Sequence, residues 1–338
     1  MLARATAPRR RANTLSLRER TLVGFLAGAA PDLDFLVRMA GPVAYLEQHR
    51  GVTHSLVLMP FWALVLAMAF WLIYRRRYHW TAYYGVCLLA IGIHIVGDLI
   101  TSYGTQILAP FSQWAPGWNT TFIIDPYLSG ILVVGLLVSL RWRPRTAAIA
   151  TLLAATVLIG YQATQYHQAL DIARNHVADA GLAADRIEAY PQPFSVWNWK
   201  LAITAGEVHH LATVNLRREA GPDPVPDDAA WWRQLRASYQ PPADVQWSRH
   251  AWFGQGREDV LARQVWSHED FAFYRRFADL PAVYQVEDDP ERGTCVWFQD
   301  LRFRLAGLSP PFIYGMCRRP VDEDWSLHVL GSRGPSEI

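Results

Sequence analysis

The first half of the chain is marked by long apolar runs that carry few charges. Runs 55–74 and 146–162 contain no charged residue, run 82–100 is apolar except for His94 and Asp98, and run 123–140 is apolar except for Asp125. A helix that crosses the hydrocarbon core of a bilayer needs about 20 mostly apolar residues. The pattern therefore predicts a membrane bundle of α-helices.

A fifth, weaker segment precedes these runs. Residues 21–39 read "TLVGFLAGAAPDLDFLVRM", in which Pro31, Asp32 and Asp34 interrupt the apolar pattern. We interpret it as a first spanning or half-spanning helix. A secretory signal peptide is the alternative, because Arg-rich sequence precedes a short apolar stretch with small residues near Ala29. About five membrane segments are expected in total.

The second half of the chain has the pattern of a soluble domain. The sequences "FSVWNWKLAIT" and "VHHLATVNL" flank Gly206-Glu207, which predicts a β-hairpin. Segments 227–238 and 267–281 predict helices, and 293–307 and 311–320 predict further strands. The predicted fold class is thus an all-α membrane bundle followed by a small soluble α+β domain with an antiparallel sheet. The predicted domains are an Arg-rich N-terminus (1–20), the membrane bundle (21–167), a linker helix (168–190) and the α+β domain (191–338).

Charge adds an orientation to this picture. The net charge is only +2, so no basic field indicates a nucleic-acid partner. Lys200 is the only lysine. Within the predicted membrane half, arginines are concentrated in 1–20, 75–77 and 141–145, whereas 101–121 has no lysine or arginine. The positive-inside rule places the three Arg-rich parts in the cytoplasm. We therefore expect a multi-pass protein of the cell inner membrane with a cytoplasmic N-terminus and an extracytoplasmic C-terminal domain.

Ionisable residues gather at the predicted outer ends of the membrane segments. His94 and Asp98 are four residues apart and share one helix face. Charges at membrane depth are costly and usually mark function. Imidazole and carboxylate donors suit a divalent metal, with zinc, manganese and iron all compatible. The residues expected to converge on one pocket are Asp32, Asp34, His49, His54, His94, Asp98 and Asp125.

Structural explanations exist for each of these residues taken alone. A single His94 or Asp125 is more often a hydrogen-bonded polar residue inside a bundle. Asp34 and Arg50 are also consistent with a structural ion pair, and membrane aspartates with a proton relay. The convergence of the whole set on one face favours a metal site.

Four motifs together resemble a known family. They are "PDLD" (31–34), "HRGVTHS" (49–55), "HIVGDLITSYGTQILAPFS" (94–112) and "IIDP" (123–126). The pattern is similar to the bacterial membrane-bound, metal-dependent hydrolase family that includes YdjM, over roughly residues 20–170. The resemblance implies metal binding and hydrolase activity. The chain departs from the family at 1–20, which lacks the extra aspartate and the Thr-His or Thr-Gln pair that many members carry, and the number of metal ions stays open.

Individual roles follow from these residue types. Asp32, Asp34, His49, His54, His94 and Asp98 are the predicted metal ligands, with His49 and His54 allowed to divide between direct and supporting roles. Asp125 is the predicted general base. Arg50 is predicted to face an anionic group of the substrate, with an interfacial anchor as the alternative. Thr53 and Ser55 are expected to cap a helix or to orient a ligand.

Two classes of function compete. One is a metal-dependent hydrolase acting on a lipid or phosphoester at the outer face of the cytoplasmic membrane, with membrane lipids as partners. The other is a non-enzymatic membrane protein, either an ion or proton transporter or a structural stress-response factor. A transporter typically has inverted repeats and access from both faces. The chain shows no internal repeat and its polar residues cluster at one end, so the enzyme is favoured.

Cysteine positions agree with an extracytoplasmic tail. Cys87 lies within an apolar run and is expected to fill space in the bundle. Cys295 and Cys317 lie on two predicted strands. Residue 306, midway between the two cysteines in sequence, directly precedes the loop "GLSPP". They are expected to lie opposite each other and to form a disulfide, which an oxidising compartment permits.

The predicted orientation can be tested by cysteine accessibility. In intact bacteria with a permeabilised outer membrane, a Gly331→Cys variant is expected to react with a membrane-impermeant maleimide. An Arg77→Cys variant is expected to react only after the inner membrane is lysed, because the positive-inside rule keeps Arg75–Arg77 in the cytoplasm. Reaction of position 331 only after lysis would contradict the orientation.

Overall fold

The computed structural model of the chain describes residues 1–8, 14–289, 293–319, 324–331 and 334–338. Arg9, Arg10 and Arg11 of the predicted cytoplasmic cluster lie outside the described residues. The chain divides into two compact units. The first comprises Met1–Val37 and Gln48–Thr164, and the second comprises Arg38–Glu47 and Gln165–Ile338.

The N-terminal half is helical. Its α-helices are α1 (Leu2–Ala5), α2 (Leu17–Ala29), α3 (Pro42–Gln48), α4 (Met59–Ile73), α5 (Trp80–Leu99), α6 (Pro126–Arg141) and α7 (Pro144–Ala180), and 3-10 segments occupy Pro31–Ala40 and Val52–His54. Local sequence explains the boundaries. Ser16 and Glu19 form a capping box at the start of α2, and Asp125 accepts a hydrogen bond from Leu128 N (2.7 Å) at the start of α6.

The number of candidate membrane spans is smaller than predicted. Within the described residues, α5 and α7 are long and apolar enough to cross a membrane, and a third candidate combines Pro42–His54 with Met59–Ile73, which are bent by 80°. The predicted count of about five segments is not supported. The run 21–39 divides into α2, of 13 residues, and a 3-10 segment that begins at Pro31. At 1.5 Å per residue, α2 is only about 20 Å long, against a hydrocarbon core of about 30 Å.

Small residues let three helices of the first unit pack closely. Ala63 and Ala67 of α4 and Val23 and Ala27 of α2 are fully buried around the middle of α5, where Tyr83, Val86, Cys87 and Ile91 form the core. Cys87 fills space in this core, as predicted. Close approach through small side chains is typical of helix packing in membranes. The packing fixes α5, which carries His94 and Asp98 at its C-terminal end.

The second unit contains two antiparallel sheets, so the predicted sheet-containing domain of antiparallel strands is confirmed. One sheet has the order β1 (Arg186–Pro191), β2 (Asn198–Ala205), β3 (Val208–Asn215) and β4 (Ser248–Ala251). The other has the order β5 (Pro281–Asp289), β6 (Gly293–Asp300), β7 (Tyr314–Arg318), β8 (Ser326–Gly331) and β9 (Gly334–Glu337). Its helices are α8 (Trp231–Ser238), α9 (Arg257–Ser267) and α10 (Ala272–Phe277), with 3-10 segments at Pro242–Asp244, Glu269–Phe271 and Leu301–Phe303.

The hairpin predicted around Gly206-Glu207 is present. Ala205 pairs with Val208, so a two-residue turn joins β2 to β3, and Gly206 adopts φ +58°. A positive φ at this position suits glycine. The first sheet packs on the end of α7, where Ala169, Leu170 and Ala173 are buried against the strands. The alternating apolar side chains of β2 and β3 thus pack against the C-terminal part of α7.

Cys295 and Cys317 pair directly across β6 and β7 and form a disulfide. The predicted pairing is confirmed. Cys87 is the remaining cysteine and is a free, buried thiol. The bond closes a loop between cysteines that are 22 positions apart in sequence.

The disulfide gives a quantitative prediction. Cross-linking a loop of this length reduces the entropy of the unfolded chain and stabilises the fold by about 3 kcal/mol. A Cys295→Ser/Cys317→Ser double variant is expected to have a free energy of unfolding that is lower by this amount and to unfold at a lower denaturant concentration. Tryptophan fluorescence of the protein in detergent measures the transition. Denatured, non-reduced wild-type protein should show one reactive thiol, Cys87. Three thiols before reduction would contradict the bond.

Candidate metal centre

Three pieces of the first unit supply the donor atoms of one site. Asp32 lies in the first turn of the 3-10 segment Pro31–Ala40, and His54 ends the short 3-10 segment Val52–His54. His94 and Asp98 come from the last turns of α5. Their i, i+4 spacing places both side chains on one helix face, as the sequence predicted.

The four donor atoms lie at distances that suit a single metal ion. His54 Nε2 lies 3.1 Å from His94 Nε2 and 3.1 Å from Asp98 Oδ2. His94 Nε2 lies 3.3 Å from Asp98 Oδ2, and Asp32 Oδ1 lies 3.6 Å from His54 Nε2 and 3.5 Å from His94 Nε2. All four atoms fit within 4.8 Å of one another. Ligands held about 2.0–2.1 Å from a tetrahedral zinc ion are separated by about 3.3–3.4 Å, so the observed spacing fits such an ion.

Burial provides an independent test of this fit. Asp98 Oδ2 is buried and receives no hydrogen bond, although it faces both imidazoles. A buried carboxylate oxygen without a hydrogen-bond donor is unfavourable unless a cation or proton compensates it. The His54 side chain is fully buried, and those of His94 and Asp98 are 15% and 12% exposed. A divalent cation among these atoms would satisfy the carboxylate, so the residues present fit a metal.

Asp34 supports the site and lies outside the group of four donors. Its Oδ1 accepts a hydrogen bond from His49 Nδ1 at 2.8 Å, and its Oδ2 accepts from Arg50 N at 2.9 Å. Asp34 Oδ2 also lies 3.3 Å from His54 Nδ1 and 3.2 Å from Thr53 Oγ1. A carboxylate behind a ligating histidine fixes the ring orientation and raises the basicity of the ligand. The structure therefore places Asp34, which was expected to bind metal directly, behind the donor group. His49 lies there too, in the supporting role that the sequence had left open for one of the two histidines.

Arg50 is turned towards the protein and not towards solvent. The residue is 5% exposed, and its Nη2 lies 3.0 Å from Asp98 Oδ1. Its Nη1 donates to Thr101 Oγ1 at 2.9 Å, and the guanidinium carbon lies 5.1 Å from the Tyr103 ring centre. Arg50 was expected to contact an anionic group of the substrate, but its guanidinium contacts residues of the protein. Arg50 instead holds one oxygen of Asp98 while the other oxygen faces the histidines.

The turn before His54 needs an unusual backbone. Arg50 has φ +58°, a left-handed conformation that is uncommon for residues other than glycine. A Cβ on Gly51 would lie 2.8 Å from Gln48 O, so glycine is required there. Thr53 Oγ1 lies 2.9 Å from His54 Nδ1, whereas Ser55 Oγ accepts from Val57 N and Leu58 N ahead of α4. The two hydroxyls thus divide the predicted roles of ligand orientation and capping.

Asp125 is not brought to the donor group. Its Oδ1 caps α6, and its Oδ2 accepts a hydrogen bond from Gln162 Nε2 at 2.8 Å. Gln162 Oε1 in turn accepts from Thr121 Oγ1 at 2.9 Å. The prediction that Asp125 joins the pocket as its base is therefore not what the structure shows. Gln162 was not predicted, and its only signal is an amide at the end of an apolar run.

The helices and the donor group together indicate the class of protein. The first unit contains apolar helices that are candidate membrane spans, and a His/Asp donor group lies at the end of one of them. These two features define the class as a membrane protein with a candidate metal centre. Residues 1–169, half of the chain, match the YdjM inner membrane protein family, and the chain belongs to that family. The resemblance inferred from the sequence motifs is confirmed.

The chain is also similar to a curated protein that is itself uncharacterized. A region of 115 residues is 34% identical to the uncharacterized protein YfhP of Bacillus subtilis (strain 168), covering 32% of this chain and 33% of that protein. The match thus spans about a third of the relative's length. No solved structure matches the chain.

The geometry predicts which variants lose metal. Protein purified in detergent is expected to bind a divalent metal ion, and His94→Ala and His54→Ala are expected to abolish that binding because each removes a donor atom. Asp34→Asn is expected to weaken the affinity by about 10–100-fold, since it loosens the support of His54. Elemental analysis and competition with a fluorescent chelator measure both effects.

A matched histidine provides the control. His79 lies at the opposite end of α5, where its Nδ1 caps the helix through Thr81 N and lies 2.8 Å from Thr81 Oγ1. His79→Ala should keep the metal content of the wild type. Unchanged metal content in His94→Ala would contradict the site.

Proposed function

We propose that the protein is a membrane-bound, metal-dependent hydrolase that acts on a lipid or phosphoester. The observation that supports it is the group of four donor atoms, with the unsatisfied buried oxygen of Asp98 at its centre. Zinc, manganese and iron all accept this mixture of imidazole and carboxylate donors, and zinc fits the tetrahedral spacing best. The membrane location of the family directs the substrate class towards lipids.

The four donors differ in exposure, which suggests a division of roles. His54 and Asp98 are buried and the His94 side chain is 15% exposed, whereas the Asp32 side chain is 59% exposed. Catalytic zinc sites commonly use three protein ligands and keep one position open. A divalent ion held by His54, His94 and Asp98 would polarise a substrate oxygen and lower the pKa of bound water. Asp32 stands on the open side of the group.

Asp32 is in the best position to act as the general base. Its Oδ1 lies 3.5–3.6 Å from both histidine Nε2 atoms, slightly farther than these atoms lie from Asp98. An exposed carboxylate at that position can accept the proton of the attacking water at its own oxygen and later return it to the leaving group. This role replaces the one expected of Asp125.

Arg50 and Asp34 position the ligands. Arg50 holds Asp98 Oδ1 and thereby directs Oδ2 towards the imidazoles. Asp34 holds His54 Nδ1, so that Nε2 faces the same point. Asp98 and His54 would each bind the metal through one atom while the other atom is held by a neighbour, which is the arrangement that supporting residues provide in metalloenzymes.

The location proposed for the reaction is the outer face of the cytoplasmic membrane. His94 and Asp98 lie at the end of α5 that is opposite Arg75–Arg77, and clustered arginines favour the cytoplasmic side. The Cys295–Cys317 disulfide in the second unit agrees with an oxidising compartment. The N-terminus is accordingly proposed to be cytoplasmic and the C-terminal unit extracytoplasmic.

The proposed activity predicts different effects for substitutions of Asp32 and Asp125. Asp32→Asn is expected to keep at least part of the metal affinity, because the two histidines and Asp98, which are far less exposed than Asp32, remain as ligands. It is expected to reduce the hydrolysis rate by about 10²–10⁴-fold. Asp125→Asn is the matched control, since asparagine also caps a helix and Asp125 contacts only Leu128 and Gln162 in the bonds described above. It should keep nearly full activity.

The assay uses metal-loaded protein in nanodiscs with bis(p-nitrophenyl) phosphate and with phosphatidylglycerol as substrates, and chelated protein as the blank. Activity that survives both chelation and His94→Ala would overturn the metal-dependent hydrolase. Equal losses in Asp32→Asn and Asp125→Asn would reject Asp32 as the base.

A further inference from the structure

A largely apolar cavity of about 320 Å³ adjoins the candidate metal centre. Its apolar lining includes Leu33, Val37, Trp62, Val65, Leu66 and Ile91. Asp34, Gln48 and Thr53 add polar atoms to its wall. Pockets of this size with few polar groups are typical small-molecule sites, and the lining indicates an apolar ligand.

The cavity is built by helices of the candidate membrane spans. Trp62, Val65 and Leu66 belong to α4, and Ile91 belongs to α5. Leu33 and Val65 are 58% and 42% exposed, so apolar surface continues from the cavity to the outside of the unit. Around a membrane helix the surrounding solvent is lipid, and acyl chains are the apolar molecules available there.

The cavity and the donor group share structural elements. Ile91 precedes His94 by three residues, which is a rise of about 4.5 Å along α5 on nearly the same face. Thr53 lines the cavity, and its Oγ1 lies 2.9 Å from Nδ1 of His54. Asp34 likewise lines the cavity while it supports His54. The cavity therefore reaches residues that contact His54 of the candidate metal centre.

We propose that this cavity binds one acyl chain of a membrane glycerophospholipid and brings its phosphoester to Asp32 and the donor group. The inference rests on the proposed function for the reaction, and on the cavity alone for binding. Hydrolysis adds the hydroxyl of water to phosphorus and a proton to the departing oxygen, so no further reactant is required. The apolar wall thus selects the substrate, and the His/Asp group acts on it.

Photolabelling tests the occupant directly. The probe is an ether-linked phosphatidylcholine with a diazirine at the end of one alkyl chain, incorporated into nanodiscs with the full-length protein. Ile91 is 1% exposed and lines the cavity, whereas Ile93 on the same helix is 47% exposed and reports on bulk lipid. Labelling of Ile91 within about threefold of Ile93 is expected from a lipid-filled pocket that adjoins the bilayer. Labelling of Ile93 with background signal at Ile91 would overturn the proposal.

A pair of variants on α4 sharpens the test. Leu66→Trp places a larger side chain in the cavity, and Leu64→Trp places the same side chain at a position that is 39% exposed and is not part of the lining. Leu66→Trp is expected to reduce labelling at Ile91 by about tenfold or more and to leave labelling at Ile93 and the metal content unchanged, since filling a pocket excludes its ligand. Leu64→Trp should label like the wild type. Val37→Trp fills the cavity from another element if Leu66→Trp loses its metal.

The outcomes keep this inference separate from the proposed function. The ether-linked probe reports binding without turnover, so labelling of Ile91 in a protein that hydrolyses nothing supports the lipid site and rejects only the hydrolase. Hydrolysis of bis(p-nitrophenyl) phosphate without labelling of Ile91 rejects only the lipid site. Labelling of Ile91 that persists in both cavity-filling variants, Leu66→Trp and Val37→Trp, would also reject it, because the alkyl chain would then reach α5 by another route.

Discussion

The buried carboxylate of Asp98 is the constraint on which the site depends. One of its oxygens is held by Arg50 at 3.0 Å, and the other faces two imidazoles without receiving a hydrogen bond. A buried charge is costly unless it is paired, and removing one partner of such a pair is strongly destabilising. Arg50 alone satisfies half of the carboxylate, and a cation in the donor group would satisfy the other half. Folding and metal binding would thereby be coupled at one residue.

Two breaks in the helical pattern bring the other donors to Asp98. Pro31 ends the regular helix after α2 and begins a 3-10 segment that carries Asp32 and Asp34. The turn at Arg50 and Gly51 then reverses the chain so that His54 meets the end of α5. The break at Pro31 also divides the run 21–39, so it accounts for one of the predicted spans that the structure does not support.

The apolar exterior and the polar site are two aspects of one membrane design. Exposed valines and leucines cover α6, and the donor group is confined to one end of α5. Water is scarce beside such helices, so polar side chains have to satisfy one another. Asp125, Gln162 and Thr121 do so as a chain of hydrogen bonds that caps α6. Asp34, His49 and Arg50 do so around the candidate metal centre.

The sequence by itself determined the helical membrane half, the antiparallel second half, the β2–β3 hairpin, the cysteine pairing and the pairing of His94 with Asp98. Each of these follows from local periodicity or short spacing, which backbone geometry converts directly into proximity. It also identified Asp32 and His54 as candidates, because ionisable residues are rare in apolar runs. It could not tell a ligand from a supporting residue. Only the tertiary structure decided that Asp34 lies behind His54, that Arg50 faces Asp98 and that Asp125 caps α6. Those roles depend on which oxygen or nitrogen meets a partner tens of residues away, and residue type and spacing do not encode that contact.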